Sequence, residues 1–184
     1  MGFFKSLFFS MKTSVQAGKD YAKYTSMTKS RLLELEDEEL ISALLTVMRL
    51  KGEDRSCENE KKLAFLALSS LCEEMNKEGL SGFFTAFPEY APHLSRSLEL
   101  VRAKGLKAAF DRFVYESGVD LADPSSFGKE HGEALSEKAV LSSFEQFDGS
   151  FYELQEKENL HRLLSRFIRK NADELLDFAR EDKR

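Results

Sequence analysis

The sequence predicts an all-α protein. Apolar residues recur at helical spacing along most of its 184 residues, and no segment shows the period-two alternation that is typical of strands. Only three prolines and ten glycines are present, which favours long regular elements over many turns. The length and the 42% hydrophobic content suit one compact domain. We therefore expect roughly seven or eight helices in a single domain with a basic amphipathic helix at its N-terminus.

The first 30 residues are predicted to form a basic amphipathic arm, followed by a helical domain over residues 31–184. Apolar residues of the arm fall on one helical face, and lysines lie elsewhere. Such a helix packs on its own domain or on a partner subunit, or it lies on a membrane surface with its lysines at the lipid headgroups. In the membrane alternative residues 3–23 are the anchor, and the candidate contact residues are Phe3, Phe4, Leu7 and Phe8.

The charge of the chain is unevenly distributed. Residues 1–31 contain six Lys and Arg residues and a single acidic residue, Asp20, which makes a formal charge of +5. Because the whole chain carries −5, the remaining residues carry −10. An acidic body argues against direct binding to nucleic acid, since that binding depends on Lys and Arg neutralising phosphates.

Two predicted helices joined by a charged loop follow the arm. Residues 16–35 are polar and form a connector or a helix extension. The first helix opens with three acidic residues from Asp37, which oppose the positive end of the helix dipole. The charged loop covers residues 51–60, and the second helix ends near Glu78. The predicted buried faces consist of Leu40, Ile41, Leu44, Leu45 and Met48 in the first helix, and Ala64, Leu68, Leu71, Cys72 and Met75 in the second.

Residues 72–90 are predicted to form the end of a helix, followed by aromatic side chains that pack into the core. Gly79 is expected to end the preceding helix in the left-handed conformation, which favours glycine. Gly82 allows a close approach of the next turn, and Asn76 is placed to satisfy free backbone groups at the helix end. The predicted core residues are Phe83, Phe84 and Phe87.

The C-terminal half reads as helices separated by turn signals. Gly105 is expected to break one helix from the next, and residues 117–133 form a predicted surface loop because Gly, Asp, Pro and Ser cluster there. The run Asp148-Gly149-Ser150 is expected to interrupt a further helix, with Asp148 as the N-cap of the helix that follows. The apolar spacing places helices at about 94–101, 106–114, 140–147 and 160–176.

Two motifs resemble those of a known family. The first reads E-x-N-x-x-G-hydrophobic-x-x-F-F, and the second reads F-D-x-x-F-Y and is followed by IRKN at residues 168–171. Their order and separation are similar to those in a widespread bacterial all-helical family of unknown function whose best-known type is a DNA-mimic protein. The resemblance covers residues from about 36 to 180, and it rests on Glu74, Asn76, Gly79, Leu80, Phe83 and Phe84, and on Phe147, Asp148, Phe151 and Tyr152.

The resemblance implies a compact helical fold and a homodimer. It also implies a role in which carboxylates at phosphate-like positions bind the basic surface of a DNA-binding protein. This chain departs from the family pattern at Glu78, Leu80 and Gly82. We interpret the motif residues as architectural, acting in helix ends and the core. The alternative is a functional pocket lined by Asn76, Tyr90 and Asp148.

No pattern of residues points to catalysis, a cofactor or a metal ion. The three histidines lie in separate segments. Glu158 and His161 have the E-x-x-H spacing of di-iron bundles, but a second copy is lacking, so we interpret them as a solvated pair. Cys57 and Cys72 have no zinc or disulfide spacing and suit a reducing cytoplasm. No run approaches the ~18 apolar residues of a membrane span.

Three groups of acidic residues form the candidate interaction surface. Runs of charge are usually solvated helix faces, and the interleaved Lys157, Arg162, Arg166, Arg169 and Lys170 would neutralise part of an acidic field. The candidate residues are Glu34, Glu36, Asp37, Glu38 and Glu39, then Glu145, Glu153 and Glu156, and then Asp173, Glu174 and Asp177.

The leading hypothesis is a non-enzymatic, cytoplasmic interaction protein that binds a basic partner protein, with DNA mimicry of a DNA-binding regulator as its specific form. The second hypothesis is a peripheral membrane protein anchored by its arm. The third is an enzyme with an unrecognised pocket.

Overall fold

The computed structural model describes residues 14–53, 57–123 and 137–181, and this part of the chain is helical without a named strand. The predicted all-α fold class is therefore confirmed. Phe3, Phe4, Leu7 and Phe8 of the predicted arm lie outside the described residues. The described α-helices are α1 (Ser14–Thr25), α2 (Lys29–Leu33), α3 (Asp37–Lys51), α4 (Glu60–Met75), α5 (Gly79–Ala86), α6 (Leu94–Leu100), α7 (Lys104–Ser117), α8 (Glu137–Glu158), α9 (Leu160–Lys170) and α10 (Ala172–Leu175), with a 3-10 helix at Pro88–His93.

The described ranges contain ten α-helices, of which seven have eight or more residues, so the prediction of roughly seven or eight helices is only roughly matched. None of the helices in the described ranges is long and apolar enough to cross a lipid bilayer.

The chain divides into two compact units. Unit 1 comprises Met1–Leu66 and His161–Arg184, and unit 2 comprises Ala67–Leu160. The buried side chains of unit 1 include Leu32, Leu40, Ile41, Leu44, Phe65, Leu164 and Ile168. Those of unit 2 include Leu68, Leu71, Leu80, Phe83, Phe110, Phe113, Phe147 and Phe151.

In unit 1 the helix α1 packs against α3. Tyr24 of α1 is buried, and the ammonium group of Lys23 lies 2.7 Å from a carboxylate oxygen of Glu39 on α3. The sequence left residues 16–35 open between a connector and a helix extension, and the structure places α1 and α2 there.

A single arginine of α9 holds the turn between α2 and α3 in unit 1. The guanidinium of Arg169 donates to the carbonyl of Leu35 at 2.8 Å, and it lies 2.6 Å from the carboxylate of Asp37. Burial opposes ionisation of Asp37, but the hydrogen bonds from Arg169 and Ser165 outweigh it and lower the pKa of this carboxyl.

Unit 2 is built around a cluster of phenylalanine side chains. Phe113 of α7 lies at its centre, with ring centroids 5.0 Å from Phe144, 5.8 Å from Phe147 and 6.0 Å from Phe84. These three ring pairs are tilted, with interplanar angles of 52°, 57° and 51°, and aromatic pairs at such separations contribute to stability beyond their burial. The cluster joins α5, α7 and α8.

The ends of several helices differ from those that the sequence predicted. Helix α8 runs unbroken through Asp148-Gly149-Ser150, and the predicted last helix divides at Asn171 into α9 and α10. Gly105 does not break a helix but lies in the first turn of α7, because the preceding helix already ends at Leu100. Phe147 and Phe151 of α8 are buried on either side of this run, and their packing stabilises the helix across three residues that by themselves favour a turn.

We expect Gly149→Ala to stabilise the protein. Gly149 lies in the interior of α8, and no atom lies within 4 Å of the position that a Cβ would take. Alanine should raise the free energy of unfolding by about 0.5–1 kcal/mol, because glycine loses more backbone entropy in a helix. Urea denaturation of the variant measures this change.

Gly18→Ala is a second instance of the same effect, since Gly18 lies within α1 and a Cβ at this position would also meet no atom within 4 Å.

A loss of stability in Gly149→Ala would show that α8 is strained at the Asp148-Gly149-Ser150 run.

Candidate functional site

The family motifs meet at the start of α5 in unit 2. The carboxylate of Asp148 on α8 accepts a hydrogen bond from the backbone N–H of Leu80 at 3.0 Å. Glu78, the residue at the N-cap position of α5, makes no capping bond with its own side chain. Asp148 was predicted to be the N-cap of the helix that directly follows it in the chain, but it caps α5, which is distant in sequence.

Gly79 is required at this position for two reasons. Its backbone has φ +71°, in the left-handed region that favours glycine, and a Cβ would lie 2.1 Å from Oδ2 of Asp148. The sequence predicted the left-handed conformation but assigned it to the end of the preceding helix. That helix, α4, ends at Met75, and Gly79 is the first residue of α5 after a three-residue turn.

Two further motif residues donate hydrogen bonds to backbone carbonyls at the end of α4. The hydroxyl of Tyr152 donates to the carbonyl of Met75, the last residue of that helix, and the side-chain amide of Asn76 donates to the carbonyl of Cys72 at 2.7 Å. Asp148 and Tyr152 are four positions apart, so both lie on one face of α8. Burial, and then the charge of Asp148, raise the pKa of Tyr152.

Glu74 and Gly82 lie on either side of the turn between α4 and α5. Glu74 is buried, and its carboxylate lies 2.8 Å from the ammonium group of Lys77. A Cβ at Gly82 would lie 2.6 Å from Cβ of Glu78 and 3.2 Å from Oε2 of Glu74. Gly82 therefore leaves room for the two acidic side chains. The remaining motif residues Phe83, Phe84 and Phe151 are buried in the core of unit 2, whereas Phe87 is only partly buried.

Glu158 repeats the arrangement at a second helix. Its carboxylate accepts the backbone N–H groups of Gly105 at 2.6 Å and Leu106 at 3.1 Å, in the first turn of α7. The N-cap residue Ala103 has no side chain that could do this. The interpretation of Glu158 as part of a solvated pair was therefore wrong, because this carboxylate satisfies free helix donors.

The sequence analysis noted Gly105 as a helix breaker and Glu158 for its spacing from His161, but it did not predict the contact between them. A Cβ at Gly105 would lie 3.0 Å from Oε1 of Glu158 and 2.9 Å from Leu154. The available signal was a glycine near a helix start that lacks a capping residue of its own, and such a glycine indicates the close approach of another group.

The pocket alternative rested on Asn76, Tyr90 and Asp148, and all three side chains are engaged in the structure. Asn76 and Asp148 make the bonds described above, and Tyr90 is buried with its ring stacked on Phe87 at a centroid distance of 6.0 Å. Cys72 is also buried, which raises the pKa of its thiol to about 12. A thiol with this pKa is a poor nucleophile at neutral pH.

Most of the predicted acidic surface of unit 1 is neutralised by ion pairs. Six of its eight candidate carboxylates lie beside a lysine or an arginine. The other two are Glu36 and Glu38, which are exposed, and Glu38 interacts electrostatically with His161. The pairs are Glu34 with Arg31 at 3.0 Å, Asp37 with Arg169 at 2.6 Å, Glu39 with Lys23 at 2.7 Å, Asp173 with Lys29 at 2.8 Å, Asp177 with Lys62 at 2.7 Å, and Glu174 with Lys61.

The acidic residues of α8 in unit 2 have a different environment. Glu145, Glu153 and Glu156 are exposed, and none of them forms an ion pair with any residue in the described ranges. At the helical rotation of about 100° per residue they lie within about 80° of one another around the axis. We call these three residues the α8 acidic stripe.

The formal charge of the chain also separates by unit. Unit 2 contains nine Lys and Arg residues and seventeen Asp and Glu residues, so its charge is −8. Unit 1 has eighteen basic and fifteen acidic residues, a charge of +3. The negative charge of the protein is thus located in the unit that contains the α8 acidic stripe.

The fold and the motif contacts define an all-helical protein in which one long helix caps its neighbours and has exposed carboxylates that form no ion pair within the part of the chain that the structure describes. The DMP19-like protein family matches residues 58–171, a range that includes all of unit 2. The chain belongs to this family of DNA-mimic proteins. No curated protein and no solved structure matches the chain.

We expect Asp148→Ala to lower the free energy of unfolding by about 1 kcal/mol, because the N–H of Leu80 loses its acceptor. Asp148→Asn keeps an acceptor oxygen and should be more stable than the alanine variant. Chemical denaturation of both variants measures the difference. Equal stability of the two would show that this hydrogen bond contributes nothing.

The pH dependence of stability provides a separate test. Burial raises the pKa of Asp148, and the bond from Leu80 opposes that shift only in part. An acid whose pKa is raised by folding binds its proton more tightly in the native state, so its contribution to stability falls as pH rises through the folded pKa. Wild type should therefore lose stability relative to Asp148→Asn over this range, in denaturation curves recorded from acidic to neutral pH. A constant difference would contradict the raised pKa.

Proposed function

We propose that the protein is a non-enzymatic interaction module that mimics the charge of DNA and binds the basic surface of a DNA-binding protein through unit 2. The observation that carries this proposal is the α8 acidic stripe, whose carboxylates are exposed and unpaired within the described residues of a unit with a charge of −8. The membership of the chain in a DNA-mimic family supports it.

Unit 2 is a better candidate surface than the acidic groups of unit 1. Carboxylates that are already paired with lysine or arginine must give up those contacts before they bind a partner. Unpaired and exposed carboxylates have no such competition, and their field extends over a Debye length of about 8–10 Å at moderate salt. We therefore restrict the predicted contact surface to Glu145, Glu153 and Glu156.

The geometry of the stripe limits how closely it can imitate a duplex. Glu145 and Glu156 are separated by about 16 Å along the axis at 1.5 Å per residue, and three charges lie in that length. A DNA duplex has one phosphate charge for roughly every 1.7 Å of axis. The stripe therefore replaces a few phosphates at chosen positions, while the charge of the whole unit attracts the partner over longer distances.

We propose that the partner is a protein with a basic DNA-binding surface. The cytoplasmic location, the bacterial source and the homodimer remain predictions. Asp148 and Glu158 are not part of the proposed contact surface, because their carboxylates are bonded to backbone N–H groups.

Neutralising the stripe should weaken binding to a basic DNA-binding protein. The variant Glu145→Gln/Glu153→Gln/Glu156→Gln removes three exposed charges that form no ion pair in the described ranges, each worth about 0.2–1 kcal/mol against an exposed cation. The expected loss is about tenfold in affinity for protamine, an arginine-rich DNA-binding protein, measured by isothermal titration calorimetry at low salt. Duplex DNA should compete with the protein for protamine.

The matched control is Glu34→Gln/Glu39→Gln/Asp173→Asn, which removes the same number of charges from ion-paired positions of unit 1. It should weaken protamine binding much less than the α8 variant. Equal losses in the two triple variants, or binding that does not weaken as salt is raised, would overturn the proposal.

A further inference from the structure

We propose that unit 2 has a second binding site, a cationic hollow between the end of α6 and the start of α7 that takes a small oxyanion of the phosphate class. The hollow has a volume of about 270 Å³ and is lined by Glu99, Arg102, Lys104, Lys107, Ala108 and Asp111. It does not include the α8 acidic stripe, and it is independent of the proposed DNA mimicry.

The first observation is the backbone conformation of Arg102. It has φ +67° at the position after the C-cap of α6. The N–H of Arg102 bonds to the carbonyl of Glu99 at 3.0 Å, and that of Ala103 bonds to the carbonyl of Leu98 at 2.9 Å. These two bonds define a Schellman motif, in which the left-handed residue is usually glycine.

Other helices of the same chain follow the usual preference. The corresponding left-handed residue after α3 is Gly52, with φ +74°, and the one after α7 is Gly118, with φ +64°. The other non-glycine residue with positive φ in the described ranges is Asn159, and asparagine tolerates this conformation better than arginine does. An arginine at position 102 is therefore strained where glycine would not be, which indicates that its side chain has a use.

The second observation is the charge balance of the hollow. Glu99 lies 2.7 Å from Arg96, which is outside the hollow, and Asp111 lies 2.6 Å from Lys107 and also accepts the hydroxyl of Ser95. Both acidic groups are therefore satisfied by other partners. Arg102 and Lys104 are exposed and form no ion pair with the part of the chain that the structure describes.

These features together specify the ligand. Two uncompensated cations require an anion, and the guanidinium fork of Arg102 suits a bidentate contact with phosphate-like oxygens. The volume is slightly below the usual 300–1,000 Å³ range of ligand pockets, which favours a small oxyanion. The N–H groups of Gly105 and Leu106 already bond to Glu158, so the side chains must hold the ligand.

The charge of −8 on unit 2 opposes any anion that is attracted only from a distance. An oxyanion bound in the hollow must therefore gain its affinity from direct contacts, and these contacts should be sensitive to removal of either cation. This separates a true site from weak, non-specific attraction.

The test is a titration of the ¹⁵N-labelled full chain with inorganic pyrophosphate, followed by NMR, with sodium chloride at matched ionic strength as the reference. Saturable shifts are expected at the amides of residues 102–107. Arg102→Gly and Lys104→Gln should each weaken pyrophosphate binding by about tenfold or more, which is the usual loss for a charge-assisted contact. Arg112→Gln and Lys157→Gln are the matched controls, because each removes an exposed cation of unit 2 outside the hollow, and each should bind as wild type does.

Arg102→Gly has a second readout. Because glycine relieves the left-handed strain, this variant should melt about 2–4 °C higher than wild type while it binds less pyrophosphate. The site is overturned if the shifts are reproduced by sodium chloride, if Arg102→Gly binds as tightly as wild type, or if the two control variants weaken binding equally. A lower melting temperature in Arg102→Gly would assign the arginine a structural role at the end of α6 and would also overturn the proposal.

Discussion

The hydrogen bonds from helix-start N–H groups to the carboxylates of α8 are the interactions on which unit 2 depends. Asp148 accepts the N–H of Leu80 at the start of α5, and Glu158 accepts those of Gly105 and Leu106 at the start of α7. Neither helix has a capping side chain of its own. Buried donors without an acceptor would cost about 1–3 kcal/mol each, so α8 must lie where both sets of donors can reach it. The glycines at positions 79 and 105 make that approach sterically possible.

The same helix has two chemically distinct sets of acidic residues. Asp148 and Glu158 are directed at backbone donors and act in the architecture, whereas Glu145, Glu153 and Glu156 are exposed without an ion pair in the described ranges. Counting acidic residues along the sequence does not separate these sets. The distinction explains why a DNA-mimic family can have motif residues that act in the fold while the interaction surface consists of other residues of the same helix.

Particular residues show how far the sequence could be interpreted. The helical spacing of Leu40, Ile41 and Leu44 correctly predicted a buried face, since burial of a periodic stripe is a local property of the helix. The left-handed glycine at position 79 was also predicted, but its partner Asp148 was not, because the two are 69 positions apart in the chain. For the same reason the capping role of Glu158 and five of the six ion pairs of the candidate acidic residues in unit 1 could not be predicted, whereas the pair of Glu34 with Arg31 is local, at a spacing of three residues. Each of the unpredicted contacts depends on a partner that only the folded chain brings within 4 Å.

The all-α class, the family and the excess of negative charge follow from periodicity, motif order and composition, which are properties of the linear chain. Which carboxylates are available depends on the folded structure. Folding placed a cation beside six of the eight candidate carboxylates of unit 1 and directed Asp148 and Glu158 at backbone donors. It also left three glutamates of α8 without an ion pair among the described residues. Availability of a charge depends on distances between residues that are remote in sequence, and those distances are set by packing.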